Sequence, residues 1–305
     1  MPKNFADRLL GQIRKLKNPS CVGLDPRFEL LPDFLKISDK PQALFNFNKK
    51  IIDATFDLVP VYKIQVAFYE LYGSKGFRTL ERTVSYLKKK KKIIIVDAKR
   101  NDIGSTAQAY CQAYLSKKGL DVDALTVNPY LGWDSLEPFI EVAKNQGKGV
   151  FVLAKTSNPS SADFQDLKMK NGKRLYEAVG EKINEWNQGT EGKSGYGIVG
   201  AVVGATYPQE IKKLRKIMPR SIFLLPGYGA QGGSAKDVVF AFDKEGKGAI
   251  INSSRGIIFS YRNHPYKERF SPKKFYLAAR QAVIDMREDI VEKLTREIKD
   301  LNCLI

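Results

Sequence analysis

Asp97, Lys99 and Asp102 stand within six positions of one another in the stretch DAKRNDIGSTA, directly after the apolar run KKIIIV. Side chains alternate along an extended strand, so Asp97 and Lys99 should leave its end on the same face, with Ala98 opposite. A carboxylate beside an ammonium group can hold a proton donor in place and respond to a charged substrate. A strand-capping salt bridge is the plainer reading, but Asp102 adds a third charge that such a bridge does not need. Lys63, in VYKIQ, is a second cation inside an apolar run. Burying a lysine without a carboxylate is costly, so it should point toward acids such as Asp97 and Asp102. Asp25 follows the first apolar run, in CVGLDPR, and should reach the same place.

A second kind of chemistry is written late in the chain. PGYGAQGG carries Gly227, Gly229, Gln231, Gly232 and Gly233, and NSSRG carries Ser254, Arg255 and Gly256. Glycine exposes backbone N–H groups and arginine supplies a fork of donors, which together suit a phosphate. Each motif alone is weak. Their succession after two neighbouring strands is more specific.

The elements that must hold these residues are legible as eight short apolar or β-branched runs: CVGLD, VYKIQ, KIIIVDAK, ALTVN, GVFVLAK, GIVGAVVGAT, SIFLLPG and GAIINSS. Segments of helical periodicity lie between them, such as PQALFNFNKKIIDATFDLV, YPQEIKKLRKIM and SAKDVVFAFDKEG. Strand then helix, eight times over, predicts an α/β protein of the (β/α)8 TIM-barrel class, with a doubly wound open sheet as the competing architecture. In such barrels active sites lie at the carboxyl ends of the strands, and the last two loops often hold phosphate.

Additional helices flank the repeat pattern. Phe5, Leu9, Leu10, Ile13 and Leu16 have helical spacing and predict an amino-terminal helix packed on the barrel. Residues 157–196 form a long connection containing the helical stretch LYEAVGEKINEW. Ser271 as cap and Pro272 at the first helical position should open a long terminal helix. No internal repeat or dividing linker is present, so residues 1–305 are read as a single barrel domain.

Composition narrows the function classes. The chain has 305 residues, 43% of them hydrophobic, which suffices for a large core. No apolar stretch approaches the roughly 18 residues that span a bilayer, and the charged opening segment is unlike a signal peptide, so a soluble cytoplasmic protein is expected. Cys21, Cys111 and Cys303 are odd in number and far apart, which suggests neither disulfides nor a zinc site. The sole histidine, His264, lies in turn-like sequence and lacks a local catalytic partner. The formal charge of +18 will attract anions, but it is spread along the chain without a recognised nucleic-acid motif. The run from Lys88 to Lys92 reads as a solvated helix end.

These residues resemble a family. DAKRNDIGSTA looks like the signature of orotidine 5′-phosphate decarboxylases, and PGYGAQGG with SSRG resembles their phosphate grip. The likeness extends through CVGLDPR, YKIQVAFYELYG, TVNPYLGWDSLEPF, LAKTSNPSS and VGAT, and is greatest to the longer bacterial subgroup. The resemblance implies decarboxylation of orotidine 5′-phosphate to UMP without metal or organic cofactor. Lys99 would protonate C6 of the pyrimidine, Asp97 would face the departing carboxylate, and Lys63 would order the charges. Asp102 would reach into the partner's site of a homodimer. Asp25 would contact the ribose, Ser157 the pyrimidine, and Gln231 with Arg255 the phosphate. Thr106, Gly229 and Ser254 complete the implied binding set.

Elementary energetics ranks these roles. Two carboxylates about 4 Å apart repel by roughly 4 kcal/mol at an effective dielectric near 20. Top-end enzymatic accelerations require about 20 kcal/mol or more. Repulsion by Asp97 therefore cannot dominate, and stabilisation of a developing carbanion by Lys99 should contribute more. Three other readings compete. A Schiff-base lysine must be neutral, whereas flanking aspartates favour the ammonium. A metal-dependent sugar-phosphate decarboxylase could share the D-x-K-x-x-D pattern, but DIGSTA and TSNPSS resemble the pyrimidine-recognising type. A polyanion-binding module would account for the charge and leave the aspartate and lysine cluster without purpose.

Overall fold

Near-continuous apolar runs become strands here because both of their faces are covered, one by helices and one by the barrel interior. The computed structural model describes residues 2–229 and 232–298. Among them the eight runs form β1 (Ser20–Leu24), β2 (Val61–Gln65), β3 (Ile93–Arg100) and β4 (Ala124–Val127), then β5 (Gly149–Lys155), β6 (Val199–Val203), β7 (Phe223–Pro226) and β8 (Ala249–Ser253). All pair in parallel with their sequence neighbours, and β8 returns to β1 through Cys21 opposite Asn252, so the barrel closes. The open-sheet alternative is thereby excluded.

Helices cover the outside. Lys40–Thr55, Gly73–Lys89, Gly104–Leu115 and Trp133–Gln146 follow the first four strands, and Leu175–Asn187 and Pro208–Ile217 follow the next two. SAKDVVFAFDKEG is less helical than its periodicity predicts. Only Ala235–Val238 is α-helical, followed by a 3-10 turn at Val239–Ala241. Asp243 then accepts hydrogen bonds from the backbone N–H groups of Glu245 and Lys247, forming a turn that turns the chain toward β8.

The amino-terminal helix Phe5–Leu16 closes the end of the barrel remote from the charged residues. Phe5 meets Phe151 of β5 edge to face, with ring centroids 5.9 Å apart. Arg8 donates to Asp123 and to the Gly147 carbonyl, just before β4 and β5. Asp7 accepts the N–H groups of Lys193 and Ser194 ahead of β6.

The terminal helix Phe275–Glu297 lies beside the seam between β8 and β1. Phe275 stacks on Phe47 at 4.8 Å, and Arg280 holds Asp57 through two hydrogen bonds. Its start differs from the sequence expectation. Ser271 makes no side-chain cap hydrogen bond, because Pro272–Lys274 forms a separate 3-10 turn before the α-helix begins. Cys21 and Cys111 are buried free thiols, and burial pushes both up to about 12, so neither is poised as a nucleophile. Cys303 lies outside the described residues.

Candidate active site

Strands β2 to β8, and Asp25 just after β1, contribute to one cavity of about 420 Å³ at the carboxyl end of the barrel. Asp25, Lys63, Asp97, Lys99, Ser157, Ser254 and Arg255 all line it, so residues spread over most of the chain converge. Asp97 is the centre of the charged cluster. Its Oδ1 accepts hydrogen bonds from Lys99 Nζ at 2.7 Å and Thr126 Oγ1 at 2.9 Å. Its Oδ2 accepts from Lys63 Nζ and from Gln65 Nε2, each at 3.1 Å. Lys63 also approaches Asp25, with Nζ to Oδ1 at 3.7 Å. The order in space is Asp25, Lys63, Asp97, Lys99.

The electrostatics follow from burial and partners. Desolvation acts to raise the Asp97 carboxyl, but the charges of Lys63 and Lys99 and the hydrogen bonds outweigh it and hold the group well below the usual carboxylate range. Desolvation acts to lower Lys63, while Asp25 and Asp97 push it upward with the larger combined effect. Asp97 thus remains an anion whose four donors occupy it fully, which leaves it no free lone pair suited to a general base. Lys63 is 4% exposed and structurally confined, whereas Lys99 is 43% exposed and free to meet a ligand.

The local reason for the Asp97 and Lys99 contact differs from simple alternation. Lys99 has φ 49, a left-handed conformation, and the pairing of β3 with β4 shifts between Val96 and Arg100. The irregularity redirects the end of the strand, and the Lys99 N–H donates to Thr126 Oγ1 at 3.0 Å. A non-glycine residue in that region costs roughly 1–2 kcal/mol, which the surrounding bonds offset. Thr126 therefore supports both members of the pair.

Lys63 turns to Asp97 and Asp25, and not to Asp102 as its charge alone suggested. Asp102 does not line the cavity. Its Oδ1 accepts the neighbouring Ile103 N–H, at the rim between β3 and the helix Gly104–Leu115. Thr106, in the first turn of that helix, is exposed and is also outside the cavity lining. Arg100 is anchored within the chain, contacting Glu70 and donating to Tyr114 Oη at 2.9 Å.

At the late loops, Gly229 and Gly232 have φ 72 and 92, backbone that β-carbon-bearing residues rarely adopt. Gly229 N–H donates to the Gly233 carbonyl, and Gly232 N–H to the Gly229 carbonyl. Gly229 itself is not among the cavity-lining residues, although Gly227 and Tyr228 are. Gln231 lies outside the described residues. Arg255, just after β8, is exposed and lines the cavity, where an anion entering the mouth would meet it.

Several lining residues went unassigned in the sequence. Gln65 follows Lys63 by two positions and shares its face, a signal that strand alternation carries. Thr126 is a polar residue inside the apolar run ALTV. Asn252 is 4% exposed on β8, and its Oδ1, like that of Asp25, has no hydrogen-bond partner among the described residues. These two buried acceptors suit hydroxyl groups of a ligand.

Comparison with known proteins bears on the family and the fold. A family model described as Orotidine 5′-phosphate decarboxylase / HUMPS matches residues 19–265. An orotidine 5′-phosphate decarboxylase of Petrotoga mobilis is 48% identical over 287 residues, covering 93% of this chain and 97% of its own. One from Rhodopirellula baltica is 46% identical over 298 residues, covering 94% and 98%. The structure of Leishmania donovani OMP decarboxylase aligns with a TM-score of 0.77 at 32% identity, over 96% of this chain and 99% of that one.

Proposed function

The chain belongs to the orotidine 5′-phosphate decarboxylase family and is a carboxy-lyase of that activity; from this premise we propose that Lys99 protonates C6 of the pyrimidine as CO2 departs, yielding UMP. The observation that supports the assignment is the chain of contacts Lys63, Asp97, Lys99 at the mouth of the barrel. In this reading the bond from C6 to the carboxylate carbon breaks, its electron pair stays on C6, and a proton from Lys99 Nζ forms the new C6–H bond. The amine then recovers a proton from solvent.

Asp97 orients Lys99 through the 2.7 Å contact to its Nζ. With four donors around it, Asp97 exerts only a muted repulsion on a substrate carboxylate, so ground-state repulsion supplies a small part of the acceleration. The preorganised ammonium of Lys99 supplies more, because it faces charge that develops on C6 and costs no reorganisation at that moment. Asp25 and Asn252 offer acceptors to ribose hydroxyls, Ser157 reaches the pyrimidine, and Arg255 with Gln231, Ser254 and the glycine turn holds the phosphate. Neither metal nor organic cofactor enters the proposal. Phosphate binding far from C6 provides energy for enclosing the reacting ring.

The proposed active form is a homodimer in which Asp102 and Thr106 serve the neighbouring subunit's site. Three features favour it. Asp102 sits at the rim outside its own chain's cavity, and Ile103 beside it is 54% exposed. Tyr130 and Leu131 on the next loop, with Trp133 at the start of the helix that follows, are also exposed, an apolar group of the kind that interfaces cover. A cytoplasmic location and a single domain over residues 1–305 complete the proposal. Among the described residues no helix is long and apolar enough to cross a membrane.

The decisive experiment is conversion of orotidine 5′-phosphate to UMP by purified protein, followed by ultraviolet absorbance with chelator present. Conversion undiminished by chelator supports the reading. Absence of conversion, or its restoration only by a divalent metal, overturns it and favours the sugar-phosphate alternative.

A further inference from the structure

Beyond Ser157, the connection after β5 has no role in the chemistry above, yet it grips the end of that strand at two adjacent residues. Lys155, the last residue of β5, is 1% exposed and donates to Asp166 Oδ1 at 2.9 Å. Its ammonium also lies 4.9 Å from the ring centre of Tyr207, and Asp166 is held in turn by Arg174 at 3.3 Å. Thr156, the next residue, is held by Gln165. Gln165 Oε1 accepts the Thr156 N–H at 2.9 Å, and Gln165 Nε2 donates to Thr156 Oγ1 at 2.8 Å. Thr156 Oγ1 passes the restraint on to Asn158 Oδ1 at 2.7 Å. Thr156, Ser157 and Asn158 all line the catalytic cavity, while Gln165 and Asp166 do not.

The other side of this loop is fixed by backbone packing. Gly204, after β6, donates its N–H to the Lys155 carbonyl at 2.8 Å, and a β-carbon there would come within 2.8 Å of Ser157 Cα. Ser157 is thus held between β6 and a side-chain clamp from residues 165 and 166. A two-pronged amide that bonds both the backbone and the hydroxyl of one residue sets that residue's orientation, beyond merely anchoring the loop.

We propose that Gln165, braced by the buried Lys155 and Asp166 pair, is a positioning residue for pyrimidine recognition, holding loop 156–158 so that Ser157 meets the ring. The inference rests on the reading of Ser157 as a pyrimidine contact. The clamp acts on the base and not on the ribose phosphate, because it restrains only this side of the mouth.

The test compares UMP with ribose 5-phosphate, which lacks the base, as competitive inhibitors of the full-length enzyme carrying Gln165→Ala, Gln165→Glu or Ser157→Ala. With one to two hydrogen bonds lost, Gln165→Ala should raise Ki for UMP and KM for orotidine 5′-phosphate about tenfold. Ki for ribose 5-phosphate should stay within about twofold, below the roughly fivefold effect of one lost hydrogen bond. Gln165→Glu, which retains the acceptor for the Thr156 N–H, should recover part of the UMP affinity and serves if the alanine variant folds poorly. Equal weakening of both ligands, or of neither, overturns the proposal. If Ser157→Ala weakens UMP and the Gln165 variants do not, the clamp alone fails; if Ser157→Ala leaves UMP binding intact, the pyrimidine reading falls with it.

Discussion

Lys63 and Lys99 grip opposite oxygens of Asp97, at 3.1 Å on Oδ2 and 2.7 Å on Oδ1, yet one is 4% exposed and the other 43% exposed. One carboxylate thereby joins a confined lysine to a more accessible one. Both line the cavity, but the greater exposure of Lys99 favours it, in the proposed mechanism, as the group that meets the reacting carbon.

Replacing Lys99 by alanine should remove both the proton donor and the cation facing C6. General acid catalysis contributes about 10²–10⁴ and a preorganised charge about 10²–10³, so kcat should fall by roughly 10⁴ or more. Steady-state rates with orotidine 5′-phosphate, alongside circular dichroism to verify folding, check this. Activity within tenfold of the unaltered protein would refute the assigned role of Lys99.

Asp97→Ala should behave differently, because it damages the fold as well as the site. Lys63 would be left buried with Asp25 alone, its Nζ 3.7 Å from the nearer carboxylate oxygen. Removing one partner of a buried ion pair costs about 3–5 kcal/mol. Equilibrium urea unfolding at neutral pH measures the loss, and a change under about 1 kcal/mol would mean that Asp25 suffices to hold Lys63.

The pH dependence of that stabilisation has a definite sign. Desolvation, opposed and exceeded by Lys63 and Lys99, leaves Asp97 with a depressed folded-state value, so its contribution is present above the ordinary carboxylate value and lost as pH falls through the depressed one. Desolvation, exceeded by Asp25 and Asp97, leaves Lys63 with a raised value, so its contribution is present below the ordinary lysine value and lost as pH rises through the raised one. The stability difference between the unaltered protein and Asp97→Asn should therefore stay flat between about pH 5 and pH 9. Denaturation series across that range test it; a difference that halves between those limits would contradict the charge assignment.

Subunit mixing tests the shared site. Lys99→Ala and Asp102→Ala proteins should each be nearly inactive alone. If Asp102 serves its partner, a mixed dimer contains one site with both residues intact, and random exchange should restore about a quarter of the unaltered activity. This statistical expectation follows from closed twofold symmetry. Light scattering should give a dimer mass, and no recovery in a mixture shown to have exchanged subunits would place Asp102 in its own chain's chemistry.

Arg255→Ala should weaken capture of the phosphate with less effect on the chemical step. Losing a charged hydrogen bond costs about 1.5–3 kcal/mol, so KM for orotidine 5′-phosphate should rise about 10- to 150-fold. The rise should shrink for orotidine, which lacks the phosphate. Equal losses for both substrates would assign Arg255 a structural role.

Much of this molecule is written locally. The eight apolar runs end within a few residues of the observed strands, since strand burial demands apolar residues and strand termination demands Gly, Pro, Asn or Asp. The charges at the ends of β1, β2 and β3 were also legible, because a lysine or aspartate inside an apolar run has few inexpensive explanations. The periodicity of SAKDVVFAFDKEG predicts a longer helix than forms, because it carries no record of the turn at Asp243 that bends the chain toward β8.

Sequence alone determined the order of strands and helices, the family, and the identity of the charged groups, since these depend on residue type and on spacing along the chain. Tertiary structure decided which acid each lysine takes. Lys63 pairs with Asp97 and Asp25, and Asp102 stays at the rim, because the left-handed turn at Lys99 and the closure of β8 onto β1 set directions that alternation within one strand does not contain. It also decided that Gln165 holds Thr156, a contact between side chains on a connection whose path no periodic pattern records.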